Sequence, residues 1–235
     1  MTAAPHPAAT VLVLREATAG LEVLLVRRGR GAPFMADAYV FPGGRVDDMD
    51  GPPGDEMAAR RCALRELREE VHLVATDPSA LVPFSHWITP AAEPRRFDTR
   101  FFLLALPAGQ VPTLDERELA DLIWLTPAQA LARFAQGMLK LPPPTLCNLE
   151  DLAAEALVAG SGPGCMHRVL AACASRRPEP ILPKLVPHAD GGIAVVMPWH
   201  PSYPTLPGTG AARSRPAHVR TSCCILTPQG RWHAE

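Results

Sequence analysis

Short apolar runs, each closed by a turn signal, occupy the first half of the chain. Ala9-Thr10-Val11-Leu12-Val13-Leu14 and Leu21-Glu22-Val23-Leu24-Leu25-Val26 lie either side of a polar turn containing a glycine, which predicts a hairpin of two strands. Ala38-Tyr39-Val40-Phe41 is an aromatic and β-branched run that ends in Pro42-Gly43-Gly44, the pattern of a strand entering a tight loop. A helical period takes over across residues 55–71, and strands return at 86–89, 99–106 and 122–125. Thr126-Pro127 opens a further helix through about residue 139, with proline in the first turn, where its missing N–H is tolerated. Strands interleaved with helices predict a mixed sheet between helices, an α/β fold.

After Leu141-Pro142-Pro143-Pro144 the pattern changes. Leu146, Leu149, Leu152, Ala153 and Ala156 form an apolar helical stripe, and 165–175 suggests another short helix. From Arg177 onward the chain is rich in proline, with 193–197 and 223–226 as candidate strands and 198–201 and 208–216 as extended or loop segments. These shifts divide the chain into a core spanning 1–139 and a helical, Pro-rich extension spanning 140–235 packed on it.

The first helix carries the candidate chemistry. At about 100° per residue, with Cys62 at zero, Glu66, Glu69 and Glu70 fall near roughly 40°, 340° and 80°, while Ala63, Leu64, Leu67 and Val71 fall between roughly 100° and 200°. Three carboxylates therefore share one face and the core takes another. Like charges so placed destabilise a helix unless a cation sits among them, and Mg²⁺ or Mn²⁺ with its preference for oxygen ligands would relieve the repulsion. Arg65, one turn before Glu69, can orient one carboxylate and cannot neutralise three. A solvated acidic face has the same pattern, so the preceding loop matters. Its glycine pair lets backbone approach both the acidic helix and a bound phosphate.

Gly44 followed by Arg65-Glu66-Leu67-Arg68-Glu69-Glu70 resembles the Nudix box, G-x5-E-x7-R-E-U-x-E-E-x-G-U with U aliphatic. There are departures. Gly44 precedes Arg65 by 21 positions instead of 14, so seven extra residues lie between them, among them Gly51-Pro52-Pro53-Gly54. Counting back from Arg65 puts Met57 where the first Glu belongs, with Asp55 and Glu56 adjacent as a helix cap or a substitute. His72 replaces the terminal Gly, where a left-handed residue costs about 1–2 kcal/mol. An insertion at this point is similar to the Nudix branch of the coenzyme A diphosphatases. Residues 24–30, Trp87-Ile88-Thr89-Pro90, residues 95–102 and Glu118, six before Trp124, also resemble that branch, so about 9–133 are covered.

The resemblance implies an α/β/α sandwich and hydrolysis of a diphosphate linked to another moiety, assisted by Mg²⁺ or Mn²⁺. It implies Glu66, Glu69 and Glu70 as metal ligands, Arg65 as the orienting arginine, and Glu118 or Glu116 as the base or an extra ligand. For substrate phosphates the candidates are Arg28, Gly43, Gly44, Arg45 and Arg96, since a guanidinium fork matches phosphate oxygens. Arg27, Arg95 and Arg100 lie nearby in sequence. Coenzyme A or an acyl derivative, giving 3′,5′-ADP and a phosphopantetheine product, is the first substrate class implied. ADP-ribose, nucleotide sugars and dinucleotides are alternatives, and a non-catalytic nucleotide-binding regulatory module is an alternative of another class, kept open by Met57 and His72.

Composition adds boundaries. The 235 residues are 47% hydrophobic, ample for a core, and a net charge of −1 gives no global reason to expect nucleic acid or a membrane surface as partner. A small-molecule diphosphate is the expected partner, and a homodimer is compatible with it. No run of about 18 apolar residues occurs, and the N-terminus lacks a basic segment followed by an apolar one. The last three residues do not read as a peroxisomal address. Six cysteines without C-x-x-C spacing read as free thiols, which points to the cytoplasm. Cys62 reads as a buried small residue, Cys223 and Cys224 as facing opposite sides of a strand, and His72 and His86 as locally hydrogen-bonded.

Overall fold

The computed structural model describes residues 3–31, 35–115, 117–216 and 218–235. The expected hairpin is β1 (His6–Ala17) and β2 (Gly20–Arg28), but the two strands pair only from Leu14↔Val23 to Ala17↔Gly20. Beyond that they diverge, and the wedge is filled by two short strands, β3 (Tyr39–Val40) against β2 and β4 (Gly43–Arg45) against β1. The Pro42-Gly43-Gly44 turn is thereby held inside the sheet rather than hanging from it. A side chain on Gly43 would collide with Ala9 O and Thr10, so the close approach of these backbones requires glycine.

The helix α1 (Glu56–Val71) follows, then β5 (Val82–Ile88), β6 (Phe97–Ala105), β7 (Leu119–Leu125) and α2 (Pro127–Ala135). Strand β6 runs parallel to β1 and antiparallel to β5, and β7 adds antiparallel to the free edge of β2. The sheet is mixed, as the alternation of elements predicts. Its two faces are both apolar. Val11, Val13, Leu24, Phe102 and Leu104 pack on Ala59, Ala63, Leu67 and Val71 of α1. Leu12, Leu14, Leu25, Phe101 and Leu103 point the other way, onto α2, α3 (Pro143–Ala159) and α4 (Cys165–Cys173). This is an α/β/α sandwich. Alternate residues of β1 serve opposite layers because strand side chains alternate.

Local chemistry sets the helix ends. Asp55 accepts the Met57 N–H at the start of α1, so it caps the helix. At the far end His72 is left-handed (φ 54°) with its N–H on Leu67 O, and its ring hydrogen-bonds Thr113. His72→Gly is expected to remove this strain and raise stability by about 1 kcal/mol, a rise of roughly 2–4 °C in Tm for a chain of this size; a lower Tm in differential scanning calorimetry would show that the ring contact outweighs the strain. Helix α2 stops at Ala135 rather than near 139, because Gly137 takes a positive φ of 72° and turns the chain away.

The extension is more ordered than proline content suggests. Strand β8 (Pro180–Ile181) adds parallel to β5, extending the main sheet. Then β9 (Lys184–Pro187), β10 (Ile193–Val196), β11 (Cys223–Leu226) and β12 (Trp232–Ala234) make an antiparallel sheet in the order β12-β11-β10-β9. The two inner strands were legible as apolar runs; the outer ones were not, since β9 is bracketed by Pro183 and Pro187 and β12 is three residues long. All six cysteines are free and buried. Cys223 and Cys224 belong to different apolar clusters, as alternation requires. Among the described residues no helix is long and apolar enough to cross a membrane.

Candidate active site

Strand β4 and the acidic face of α1 meet at a cleft of about 780 Å³. Glu70 comes from the last turn of α1, and its Oε2 accepts the Gly43 N–H at 2.9 Å. Burial raises the Glu70 carboxyl to about 8, the neighbouring Glu66 and Glu118 charges add to this, and the Gly43 hydrogen bond and Arg28 oppose it. Glu66 is also raised, by burial first, against the pull of Arg65. A Cβ on Gly44 would run into the Glu66 carboxylate, so the second glycine of the pair is what lets backbone and carboxylate share this space.

Arg65 is the organiser. Its side chain is 11% exposed and reaches Asp50 at 2.9 Å, Glu66 at 2.8 Å and Glu69 at 2.9 Å. It also donates to Arg45 O at 2.8 Å, tying α1 to the glycine loop. Five donors in a rigid fork make this possible; a lysine could not do it. Burial would raise the Asp50 carboxyl, but hydrogen bonds from Arg65 and the Asp47 N–H and the Arg65 charge together hold it below its usual value. Asp50 was missed from the sequence. It stands six residues after Gly44, the interval the box pattern gives for its first Glu, so counting forward from the glycine finds it, whereas counting back from Arg65 gives Met57, whose side chain is exposed. The seven extra residues lie between Asp50 and Arg65, in the loop and the first turns of α1.

Cys62 is fully buried on α1, its thiol 3.1 Å from Arg45 O and pushed up to about 12 by burial and the nearby Glu66 and Asp50 charges, so it packs and does not ligate. Glu118 lines the cleft, placed there by two backbone ties: Asp115 N–H donates to Glu70 O at 3.0 Å and Gly29 N–H to Glu118 O at 3.0 Å. Glu116 lies outside the described residues. Arg28 and Arg45 line the cleft, joined by Arg95 and Arg117. Arg96 does not: it is buried and its guanidinium is taken up by Thr89 O and Ala3 O, a structural role, while Arg95 next to it takes the open position. Both arginines precede β6, and the bend there leaves Arg95 on the cleft and Arg96 turned inside. Arg27 is paired with Asp37. His86 is bonded to Asp98, and Trp87 is 4% exposed while still lining the cleft.

The donor set suits a hard cation. The cleft side of the helix presents the carboxyl groups of Glu66, Glu69 and Glu70, and burial raises both Glu66 and Glu70, so a cation placed there would favour their charged, oxygen-donating form. Glu69, with its side chain 49% exposed and held by Arg65, sits at the rim. Among the described residues no three acidic, imidazole or thiol groups close into a cage. A few carboxylates can hold a hard divalent cation together with water and substrate oxygens.

The chain has relatives. A protein named as a nudix hydrolase in Caenorhabditis elegans is 29% identical over 187 residues, 65% of this chain and 62% of that protein. The acyl-coenzyme A diphosphatase NUDT19 of Xenopus laevis is 25% identical over 312 aligned positions, covering 92% of this chain and 80% of that one. The chain thus spans about three fifths of the nematode protein's length. The crystal structure of a NUDIX hydrolase from Alicyclobacillus acidocaldarius is similar with a TM-score of 0.59 at 27% identity, over 65% of this chain and 92% of that one. The NUDIX domain model matches residues 4–143, from β1 through the start of α3 and including the whole acidic helix, and the chain therefore belongs to the NUDIX family.

Proposed function

We propose that the chain is a metal-dependent phosphoanhydride hydrolase whose substrate is coenzyme A or an acyl-CoA, releasing 3′,5′-ADP and a phosphopantetheine species. The observation that carries the reading is Glu70: a carboxyl raised to about 8, fixed by the Gly43 N–H, beside Glu66 and facing arginines in one cleft. A divalent ion, Mg²⁺ or Mn²⁺, would be held by Glu66 and Glu70 with Glu69 at the rim, and would offset the diphosphate charge and make a bound water more acidic. Arg28, Arg45 and Arg95 grip the phosphate oxygens, and the Gly43-Gly44 backbone admits them close to the helix. Glu118, exposed beside Glu70 and Arg28, takes the proton as water adds to one phosphorus and the bridging P–O bond breaks.

The Asp50–Arg65 pair supports an enzyme over a purely binding module, because it fixes Glu66 and Glu69 by a buried charge that simple nucleotide binding does not need. The substrate class is supported by the name of the frog relative. Free buried thiols favour the cytoplasm. The test is a panel of CoA, octanoyl-CoA, ADP-ribose, nucleotide sugars and dinucleotides with Mg²⁺ or Mn²⁺, with products resolved by chromatography. CoA species are expected to give 3′,5′-ADP with the highest kcat/KM; efficient ADP-ribose cleavage without CoA cleavage would overturn the substrate, and ligand binding without turnover across the panel would overturn the enzyme.

A further inference from the structure

The small C-terminal sheet lies wholly outside the matched NUDIX residues 4–143, yet it reaches the cleft. Its two faces differ. Val195 is paired directly with Leu185 on one side and Cys224 on the other, and Leu226 with Trp232, so these side chains share one face. That face joins the apolar cluster containing Phe41, Trp87 and Phe101 of the main sheet, while Ala194, Val196, Cys223 and Ile225 form a separate cluster behind it. Leu185, Val195 and Trp232 of this face line the same cavity as Phe41, Trp87 and Phe101, and that cavity continues to Glu66 and Glu70.

The cleft is therefore chemically divided: acids and arginines at one end, aliphatic and aromatic side chains at the other. A substrate filling both ends has a diphosphate joined to a long apolar arm. We infer that Leu185, Val195 and Trp232 of the C-terminal sheet form the subsite for the acyl chain of a CoA thioester and set the preference for acylated over free CoA. This rests on the substrate class proposed above. The Leu185 side chain is half-buried, so it can be enlarged into the cleft without displacing the inner core; Val195 and Trp232 are 7% and 8% exposed and contact the chain from the wall. Each methylene moved from water onto this wall gains affinity, so binding rises with chain length until the cleft is full.

The test separates binding from chemistry. Calorimetry on the full chain in EDTA, where metal-dependent cleavage is silent, measures the dissociation constants of CoA and octanoyl-CoA for the parent, Leu185→Trp and Trp232→Ala. The parent is expected to bind octanoyl-CoA at least tenfold more tightly than CoA. Leu185→Trp, which fills the apolar end, and Trp232→Ala, which removes its largest surface, should each reduce that ratio to about threefold or less, with circular dichroism confirming the fold. A parent ratio near one, or a ratio unchanged in whichever variants fold, overturns the inference. If neither variant folds, the parent's own series from acetyl- to dodecanoyl-CoA decides it: affinity independent of chain length overturns it. Cleavage with Mg²⁺ is assayed separately: loss of the chain-length effect with CoA still cleaved sinks the subsite alone, whereas chain-length-dependent binding without CoA cleavage sinks the hydrolase reading alone.

Discussion

Glu70→Gln is expected to lower kcat on the order of 10³-fold while leaving the protein folded. The amide is nearly isosteric and its oxygen can still accept the Gly43 N–H, so the glycine loop keeps its anchor. What disappears is an anion at the position where a cation would be held, and electrostatic groups of this kind in enclosed sites typically carry 10²–10³-fold or more of the rate. The same substitution has a second signature in the metal-free protein. The Glu70 carboxyl is raised from 4.5 to about 8 in the folded state, by burial first. Between those values the folded chain holds a proton that the unfolded chain has released, so stability falls as pH rises through the window and the full cost is reached above about 8. Glu70→Gln cannot ionise, and its stability in EDTA should exceed that of the parent at pH 8.5 by roughly 1–3 kcal/mol, with little difference near pH 4.5. Steady-state kinetics and urea titrations at two pH values read both effects. Turnover within tenfold of the parent, or a parent whose stability in EDTA is flat across this window, would show that Glu70 is not the buried anion on which the site depends.

The layers of the sandwich were legible because period-2 and period-3.6 patterns say directly which side chains face a core. The acidic face was legible for the same reason: Glu66, Glu69 and Glu70 share a helix face by angle alone. Asp50 was not, because it contributes through a loop whose length differs from the family pattern, and only its partner Arg65 fixes its place. Arg96 misled because arginine chemistry is independent of direction; whether it meets phosphate or backbone carbonyls depends on how the segment before β6 turns it, and Thr89 O and Ala3 O claim it. The outer strands of the C-terminal sheet were hidden by their brevity and by flanking prolines, and with them the apolar wall of the cleft. Prolines at strand ends are compatible with edge strands, a reading that composition alone cannot reach. The splaying of β1 from β2 was equally invisible, since it is a matter of register: the pairing stops at Leu14↔Val23 and lets the glycine loop in.

The second large effect concerns the fold itself. Arg65→Ala is expected to destabilise the protein by about 3–5 kcal/mol, the usual cost of leaving a buried charge without its partner. The Asp50 side chain is 4% exposed and Arg65 is its cation. Glu66 and Glu69 lose the same guanidinium, and Arg45 O loses a donor, so the glycine loop is released together with the acids. The pH dependence follows from the sign of the Asp50 shift. In the parent its carboxyl is held below the ordinary 3.8, so this contribution is present above that pH and fades as pH falls through the lowered value. Without Arg65, burial raises the Asp50 carboxyl against the remaining pull of the Asp47 N–H, so the variant's deficit should be largest at pH 7 and shrink as the pH falls and Asp50 protonates. Adding Asp50→Asn to Arg65→Ala should recover part of the loss, because the amide can lie buried without a counter-ion, and a coupling of about 1–3 kcal/mol in a double-mutant cycle is the expected size. Arg65→Lys should fall between parent and alanine, since a single ammonium can satisfy Asp50 or Glu66 but cannot span both with Glu69 and the Arg45 carbonyl. Urea unfolding of the parent, Arg65→Ala, Asp50→Asn, the double variant and Arg65→Lys at pH 4 and pH 7 measures every term. Strict additivity of Arg65→Ala and Asp50→Asn would mean that Asp50 does not depend on Arg65, and that the arginine acts through Arg45 O, Glu66 and Glu69 instead.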